Sequence, residues 1–417
     1  MEKKADNDRI EKYDVIIVGA GAAGLMCAAS PAWEQVKPAS GDGKVSKLIL
    51  ERGDRPGIKL LMSGGGHCNI THDGPARDLL PAYGKAGRTL RGAIIKYSNK
   101  DSEAFLKRAG VPLYSDAAGR VLPVSMKAAD VLDAYLEAAG RNGFRVRYGQ
   151  MVRSIEERGS DEEREYLLDT GSKTYLCKTV IIATGGCSYP KTGSDGAMFG
   201  TLERCFGLEV TPLLPGLVPV ITEEYPYGDL AGITLQHVRI SIHRDGEKSV
   251  HREGALLFTH CAFSGPCALD ISGYAASGSR IAIDYIHPVT FDEAYAKIRE
   301  KRIRSGKEVA EAFSLPRRLA ALLAECAADS PKRLAHLLTE DTFTVTGTEG
   351  FKSAMVTKGG VGLQQIVPSS MELKDRPGVY LIGEVLDADG ASGGYNLQMC
   401  WSTAQAAANA VVSHLHP

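Results

Sequence analysis

The chain has 417 residues, 44% of them hydrophobic, with 49 Lys plus Arg against 50 Asp plus Glu. That length can bury at least one large core and favours two or three domains, while the even charge and the lack of a long basic run argue against a nucleic-acid surface and for small-molecule partners. The polar start from Met1 to Lys12, the glycines interrupting Val15–Ala29, and nine scattered cysteines without a CxxC pair argue against secretion, a membrane span and a disulfide scaffold, and fit a reducing, cytoplasmic setting.

In chain order, Tyr13–Val18 reads as a buried strand, Gly19-Ala-Gly-Ala-Ala-Gly24 as a tight turn, and Leu25–Ala29 as a small-residue helix. Pro31, Pro38 and Ser40–Gly43 end that helix early and insert a loop before a second buried strand, Lys47–Leu50, which finishes on Glu51. Helical spacing recurs over Ser102–Arg108 and Ala128–Gly140, alternating with short strands. Arg145–Arg153 and Glu165–Leu168 read as a small antiparallel element, and Thr179–Thr184 as another apolar strand ending in Gly185-Gly186.

After about Thr201 the composition shifts to β-branched, alternating segments such as Val238–His243 and Arg280–Tyr285, spaced by Gly and Pro as in an antiparallel barrel. Phe291–Glu340 turns helical, with Pro316 and Pro331 marking helix starts. Phe343–Thr346 resumes the strands, Val379–Ile382 is buried again, and Gly394–Val412 is an Ala-rich helix that returns the chain to the first sheet. The expected organisation is a discontinuous dinucleotide-binding domain (1–203 and 347–417), an inserted β-domain (204–290 and 341–346) and a helical subdomain (291–340).

Gly19, Gly21 and Gly24 supply a tight turn, close backbone approach to a pyrophosphate and close helix-to-strand packing, and the helix N-terminus offers unpaired N–H groups to phosphate. Glu51 follows Gly24 by 27 residues, more than the usual roughly 20, because of the inserted loop, and can accept from both ribose hydroxyls. NAD and FAD share this fingerprint; glycine-rich strand ends at 185–186 and 383 and the returning C-terminus favour FAD. Ser63–Thr71, SGGGHCNIT, then reads as a backbone cradle, with Cys68 a packed soft side chain and not half of a redox pair.

The segments VIIVGAGAAGL, SGGGHCNIT, ATGGCSYPKTGSDG, LLFTHCAFSGP, VTKGGV and GEVLDADGASGGYNLQ resemble, in order, motifs of the BaiN-like NAD(P)/FAD-dependent oxidoreductases, the aminoacetone-oxidase-type FAD-binding family. The resemblance implies an α/β flavoprotein of the two-dinucleotide-binding type: a Rossmann-like FAD-binding domain, an inserted antiparallel β-barrel-like domain and a helical subdomain. It implies that Gly19, Gly21 and Gly24 face the pyrophosphate, Glu51 the adenosine ribose, and Val152 the adenine, with Ala22 and Arg52 also binding the cofactor. Lys59, Gly64, Cys68, Asn69 and Thr71 would flank the flavin half. Thr184 and Gly185 would pass under the dinucleotide, with Gly383, Glu384, Asp387 and Asp389 near the ribityl phosphate. Gly394, Asn396 and Leu397 would open a helix whose N-terminal dipole meets the flavin pyrimidine edge, where negative charge appears on reduction.

Three positions depart from the resemblance. His67 stands where arginine is common, His72 where asparagine is, and Lys358 where a small residue is, which bears on substrate identity more than on the cofactor. Candidate catalytic residues are His260, Tyr395 and His67, each with a structural alternative: a strand-end histidine satisfying a carbonyl, a packed tyrosine, a loop contact. No metal is expected, since His237, His243 and His251 lack ligand spacing. The expected activity is hydride transfer between flavin N5 and a small organic substrate, driven by transient NAD(P)H, with reduction of a C=C bond preferred. The alternatives are an oxygen-using oxidase, a non-catalytic flavin-binding or RNA-modification accessory, against which the lack of a basic patch argues, and a dithiol reductase should Cys187 pair with Cys68.

Overall fold

A computed structural model describes residues 10–36, 45–160, 163–243 and 249–415; the expected Ser40–Gly43 loop lies outside the described residues. The chain divides into two compact units, Met1–Leu214 with Val356–Pro417, and Pro215–Met355. The first break falls beyond 203 because a helix, Ala197–Phe206, closes on a left-handed Gly207 and carries the chain onward. The helical stretch after 290 belongs to the same unit as the strands on either side of it.

The first unit is built on five parallel strands: β1 (Glu11–Val18), β2 (Lys47–Leu50), β3 (Arg145–Arg147), β4 (Thr174–Ile182) and β5 (Arg376–Leu381), ordered β5-β4-β1-β2-β3. Val15–Ile17 and Val180–Ile182 are fully buried, as strands covered on both faces must be. Arg145–Arg147 was expected in a separate antiparallel element; it instead pairs in parallel with β2, Leu48 opposite Arg145. The antiparallel element consists of Ser154–Arg158 and Glu165–Asp169, hung on the first half of β4. Parallel pairing of β5 with β4 brings the C-terminal segment back into the sheet.

Four helices of this unit position the site: α1 (Ala22–Ala28), α2 (Asn99–Arg108), α3 (Ala128–Arg141) and α4 (Tyr395–Leu415). Helix α2 starts on a reciprocal Ser98/Asp101 capping box. Helix α4 is buried along most of its length, including Gln398, Ser402, Thr403 and Gln405, each hydrogen-bonded: Ser30 Oγ donates to Gln405 Oε1 (2.6 Å) and Thr71 Oγ1 to Gln398 Oε1 (2.7 Å). These side chains fasten α4 to distant parts of the same unit.

The second unit is a closed six-strand antiparallel barrel, in order Val220–Thr222, Phe263–Ser264, Val250–Phe258, Thr234–His243, Arg280–Asp284 and Asp341–Thr348. Four helices, Phe291–Glu300, Gly306–Phe313, Arg317–Ala327 and Pro331–Thr339, lie between its last two strands. The expected helix starts are observed, with Pro316 capping the third and Pro331 opening the fourth. The barrel interior holds Tyr227, Phe258, Phe263 and Tyr285 around one buried carboxylate, Asp341.

Candidate functional site

The carboxyl ends of β1, β2, β4 and β5 deliver Gly19, Glu51, Thr184 and Gly383 to one edge of the sheet, where open α/β sheets bind ligands. The three glycines of the turn differ sharply in what surrounds them. A Cβ on Gly24 would stand 2.0 Å from the Gly19 carbonyl oxygen, and one on Gly19 would meet the Ala183 carbonyl at 2.6 Å, so these two hold strand and helix together. A Cβ on Gly21 would meet nothing within 4 Å. Gly21 therefore faces open space at the start of α1, where the first N–H groups of a helix lack intrahelical partners.

Glu51 is fixed by accepting from Ala20 N–H (2.8 Å) and Gly53 N–H (2.7 Å), one bond to each carboxylate oxygen. Each oxygen keeps a further lone pair for a hydroxyl. Arg52 turns to Asp195 at 2.6 Å. Burial alone would raise the Asp195 pKa, but this guanidinium holds it below the ordinary value. Thr184 Oγ1 is buried without a hydrogen-bond partner among the described residues, which leaves it available to a bound ligand or water. Val152 is buried in the loop after β3, beside Arg153, whose N–H donates to Asp169.

Lys59 and Glu384 form an ion pair of 2.6 Å. The Ser188 hydroxyl accepts from Lys59 and donates to Glu384 Oε1 (3.1 Å), which also accepts from Thr357 N–H (2.7 Å). Thr357 Oγ1 in turn accepts from the backbone N–H of Cys187 and Ser188. Four chain segments are thereby locked around one carboxylate. The sequence pointed to Lys59 and Glu384 singly; their pairing, and the parts of Ser188 and Thr357, arise only from folding, although both residues stand in motifs quoted above. Asp389 is pushed up by burial, countered by Lys358 at 4.0 Å and reinforced by Asp387 and Glu384.

In the glycine cradle, Gly64, Gly65 and Gly66 all have positive φ (57°, 67° and 92°), which glycine adopts at little cost, and a Cβ on Gly65 would meet nothing within 4 Å. Cys68 is fully buried, and burial pushes its thiol up to about 11 against the opposing Ser63 hydroxyl. At neutral pH it is a thiol, not a nucleophilic thiolate. Cys68 and Cys187 are both free, which leaves the dithiol reading without a disulfide. The Asn69 carboxamide, oriented by its partners, accepts from Gly394 N–H (3.0 Å) and donates to the Thr71 carbonyl (3.1 Å), tying the cradle to the start of α4.

At that helix start, Asn396 closes the preceding loop by bonding Gly390 N–H (2.8 Å) and the Gly390 carbonyl (2.9 Å). Leu397 is partly buried against the core. The Tyr395 ring stacks on His72 at 4.8 Å, and its carbonyl accepts from the Tyr83 hydroxyl (2.8 Å). His67 is exposed, its Nδ1 2.9 Å from the Met126 carbonyl. His260 lies in the second unit, exposed, just past the strand Val250–Phe258.

This architecture, a Rossmann-type FAD-binding domain with an antiparallel barrel inserted into it, defines the class as FAD-dependent oxidoreductases. Residues 13–410 match the HI0933-like protein Rossmann domain, and the chain belongs to that family. It is 30% identical over 427 aligned residues to the ribosomal RNA dihydrouridine synthase of Escherichia coli K12, covering 97% of this chain and 99% of that one. It is 24% identical to the 3-dehydro-bile acid delta(4,6)-reductase of Clostridium scindens, covering 94% and 98%. Among solved structures, the 3-ketosteroid-delta4-(5alpha)-dehydrogenase of Rhodococcus jostii RHA1 shares the fold, with a TM-score of 0.52, 15% identity and 98% of each chain covered.

Proposed function

We propose that this protein uses FAD to reduce a carbon–carbon double bond conjugated to a carbonyl, and that the bond is C5=C6 of a uridine in ribosomal RNA. The cofactor half is supported by the open space at Gly21 and by the Thr184 hydroxyl, unpartnered among the described residues, which stand at the carboxyl ends of neighbouring strands of the sheet. The substrate half is carried by the full-length similarity to a dihydrouridine synthase. Bound FAD supplies a two-electron carrier able to pass hydride to an electron-poor carbon.

The chain's own residues divide the remaining work. With FAD bound, the N–H groups after Gly21 would hold its phosphate, Glu51 its ribose hydroxyls, and the Thr184 hydroxyl would offer one further hydrogen bond. The first turn of α4, a 21-residue helix, would turn its positive end to the flavin and favour the negative charge that reduction brings. Saturating the double bond also needs a proton at the carbon next to the one receiving hydride. Of the candidates, Tyr395 and His67 stand in the same unit as the dinucleotide residues and are the proposed donors, and Tyr395 is the one seated on the first turn of α4.

The test reduces the purified flavoprotein with NADPH or NADH without oxygen, then adds ribosomal RNA from a strain lacking the gene. Bleaching of the flavin, its recovery on adding RNA, and a two-hydrogen mass gain at a uridine are the expected results. A flavin that nicotinamides do not bleach would remove the NAD(P)H step. Recovery with oxygen alone and no altered uridine would make the protein an oxidase. A second reading keeps the chemistry and changes the substrate to a steroid-like enone, favoured by the bile-acid reductase similarity; flavin recovery with a dienone steroid but not with RNA would select it.

A further inference from the structure

The even charge of the whole chain conceals a local excess. Residues 76–127 hold ten lysines and arginines against four carboxylates, Asp78, Asp101, Glu103 and Asp116. The excess is densest over the short helices Ala76–Tyr83, Ala86–Thr89 and Arg91–Lys96, where Arg77, Lys85, Arg88, Arg91 and Lys96 are all exposed. Lys85, Arg88 and Arg91 recur every third residue, an interval that makes neighbours on a helical surface. Among the described residues, the side chains of Arg77, Lys85, Arg88 and Arg91 form no ion pair, whereas Lys100, Lys107 and Arg120 are paired with carboxylates.

This basic stretch is fastened to the candidate site. The Tyr83 hydroxyl donates to the Tyr395 carbonyl (2.8 Å), Ala391 N–H donates to the Ala82 carbonyl (3.0 Å), and the Tyr83 and Tyr395 rings meet edge to face at 6.0 Å. Four exposed cations on one short run of chain, without a carboxylate partner among the described residues, cost self-repulsion unless an anion is met there, and a row such as Lys85, Arg88 and Arg91 matches a phosphate backbone better than a single small anion does. The helices carrying them pack through Leu79, Tyr83, Leu90 and Ile94, so the surface is preformed.

We infer that Arg77, Lys85, Arg88 and Arg91 form the surface that holds the RNA backbone while a nucleotide enters the site beside α4. The inference rests on the RNA reading above. Contacts to phosphate position a nucleic acid without reading its sequence; a base must also leave its stack to reach a buried reaction centre, and backbone contacts on the flanking nucleotides pay for that.

The test measures binding of the FAD-loaded protein to a fluorescent 20-nucleotide uridine-containing RNA between 50 and 200 mM salt. The variant carries Arg77→Ala, Lys85→Ala, Arg88→Ala and Arg91→Ala together. Expected are a loss of affinity on the order of 10- to 100-fold and a salt slope shallower by about 3, at roughly 0.7 per phosphate contact on a single strand. The flavin spectrum, melting temperature and rate of flavin reduction by nicotinamide should be unchanged. A control replaces Arg299, Lys301, Arg304 and Lys307 of the second unit, which are equally exposed, with alanine. Equal losses in both variants, or an unchanged salt slope in the first, would overturn the assignment. The same holds if the first variant loses binding only to phosphatidylglycerol vesicles. Wild-type protein that binds the RNA through these residues but never reduces its uridines would instead defeat the substrate reading and leave the surface standing.

Discussion

Gly21 and Gly24 belong to one glycine turn and should behave oppositely when each is replaced by alanine. Gly21 has φ −80°, ordinary for any residue, and its added methyl would meet no protein atom within 4 Å, so Gly21→Ala should fold with less than about 1 kcal/mol of change. That methyl would occupy the space a pyrophosphate must enter to reach the helix N–H groups. Losing one or two charge-assisted hydrogen bonds, each about 1.5–3 kcal/mol, weakens FAD binding by roughly 10- to 10,000-fold. Gly24→Ala sets a methyl 2.0 Å from the Gly19 carbonyl oxygen, a clash with backbone that cannot turn aside, costing about 3 kcal/mol or more. Melting temperature and FAD titration by flavin fluorescence separate the two effects. If Gly21→Ala bound FAD as tightly as the parent, the pyrophosphate would not lie at this turn and the argument from open space would be wrong.

Further outcomes follow from the same physical reading. The Asp341 carboxyl, pushed up to about 6 by burial against the opposing Tyr227 and Tyr285 hydroxyls, binds its proton more tightly folded than unfolded. Its charged form therefore costs stability at pH 7, about 3 kcal/mol for a shift of about two units, and the penalty is relieved as pH falls through 6 towards 4. The melting temperature of the parent should rise across that window relative to Asp341→Asn; parallel profiles would show that the carboxyl is not shifted. Glu384→Gln leaves Lys59 without its counter-ion and weakens the bonds from Thr357 and Ser188, so thermal denaturation should show a loss of roughly 2 kcal/mol. Cys68 should resist a thiol reagent that rapidly labels exposed Cys261, and Cys68→Ala should keep turnover within about threefold. Should Cys68 label as fast as Cys261, its role as a packed side chain would be abandoned. His67→Arg should alter substrate preference or the pH profile of turnover, measured on RNA and on an enone; no change in either would end the idea that this position is tuned.

Much of the fold was legible because burial leaves local marks. Val15–Val18, Leu48–Leu50 and Val180–Ile182 are uninterrupted apolar runs, as strands covered on both faces require, and the glycine turn between β1 and α1 has a fixed spacing. Arg145–Arg147 was misplaced because its alternating polar residues are those of a sheet-edge strand, and an edge strand reads the same whether its neighbour is parallel or antiparallel. The basic surface at 77–91 was missed because charge was judged over the whole chain, and its cations are separated mostly by apolar and small residues and so form no continuous basic run.

What the sequence determined by itself were the elements and the residue types that a dinucleotide site demands, since periodicity and glycine spacing are properties of neighbouring residues. Only the tertiary structure decided which of those residues meet. Lys59 finds Glu384 across 325 positions of chain, Asn69 finds Gly394, and a buried Thr184 hydroxyl has no partner among the described residues. The reason is that a contact between distant segments depends on how the sheet orders its strands. No local pattern of residues records that order.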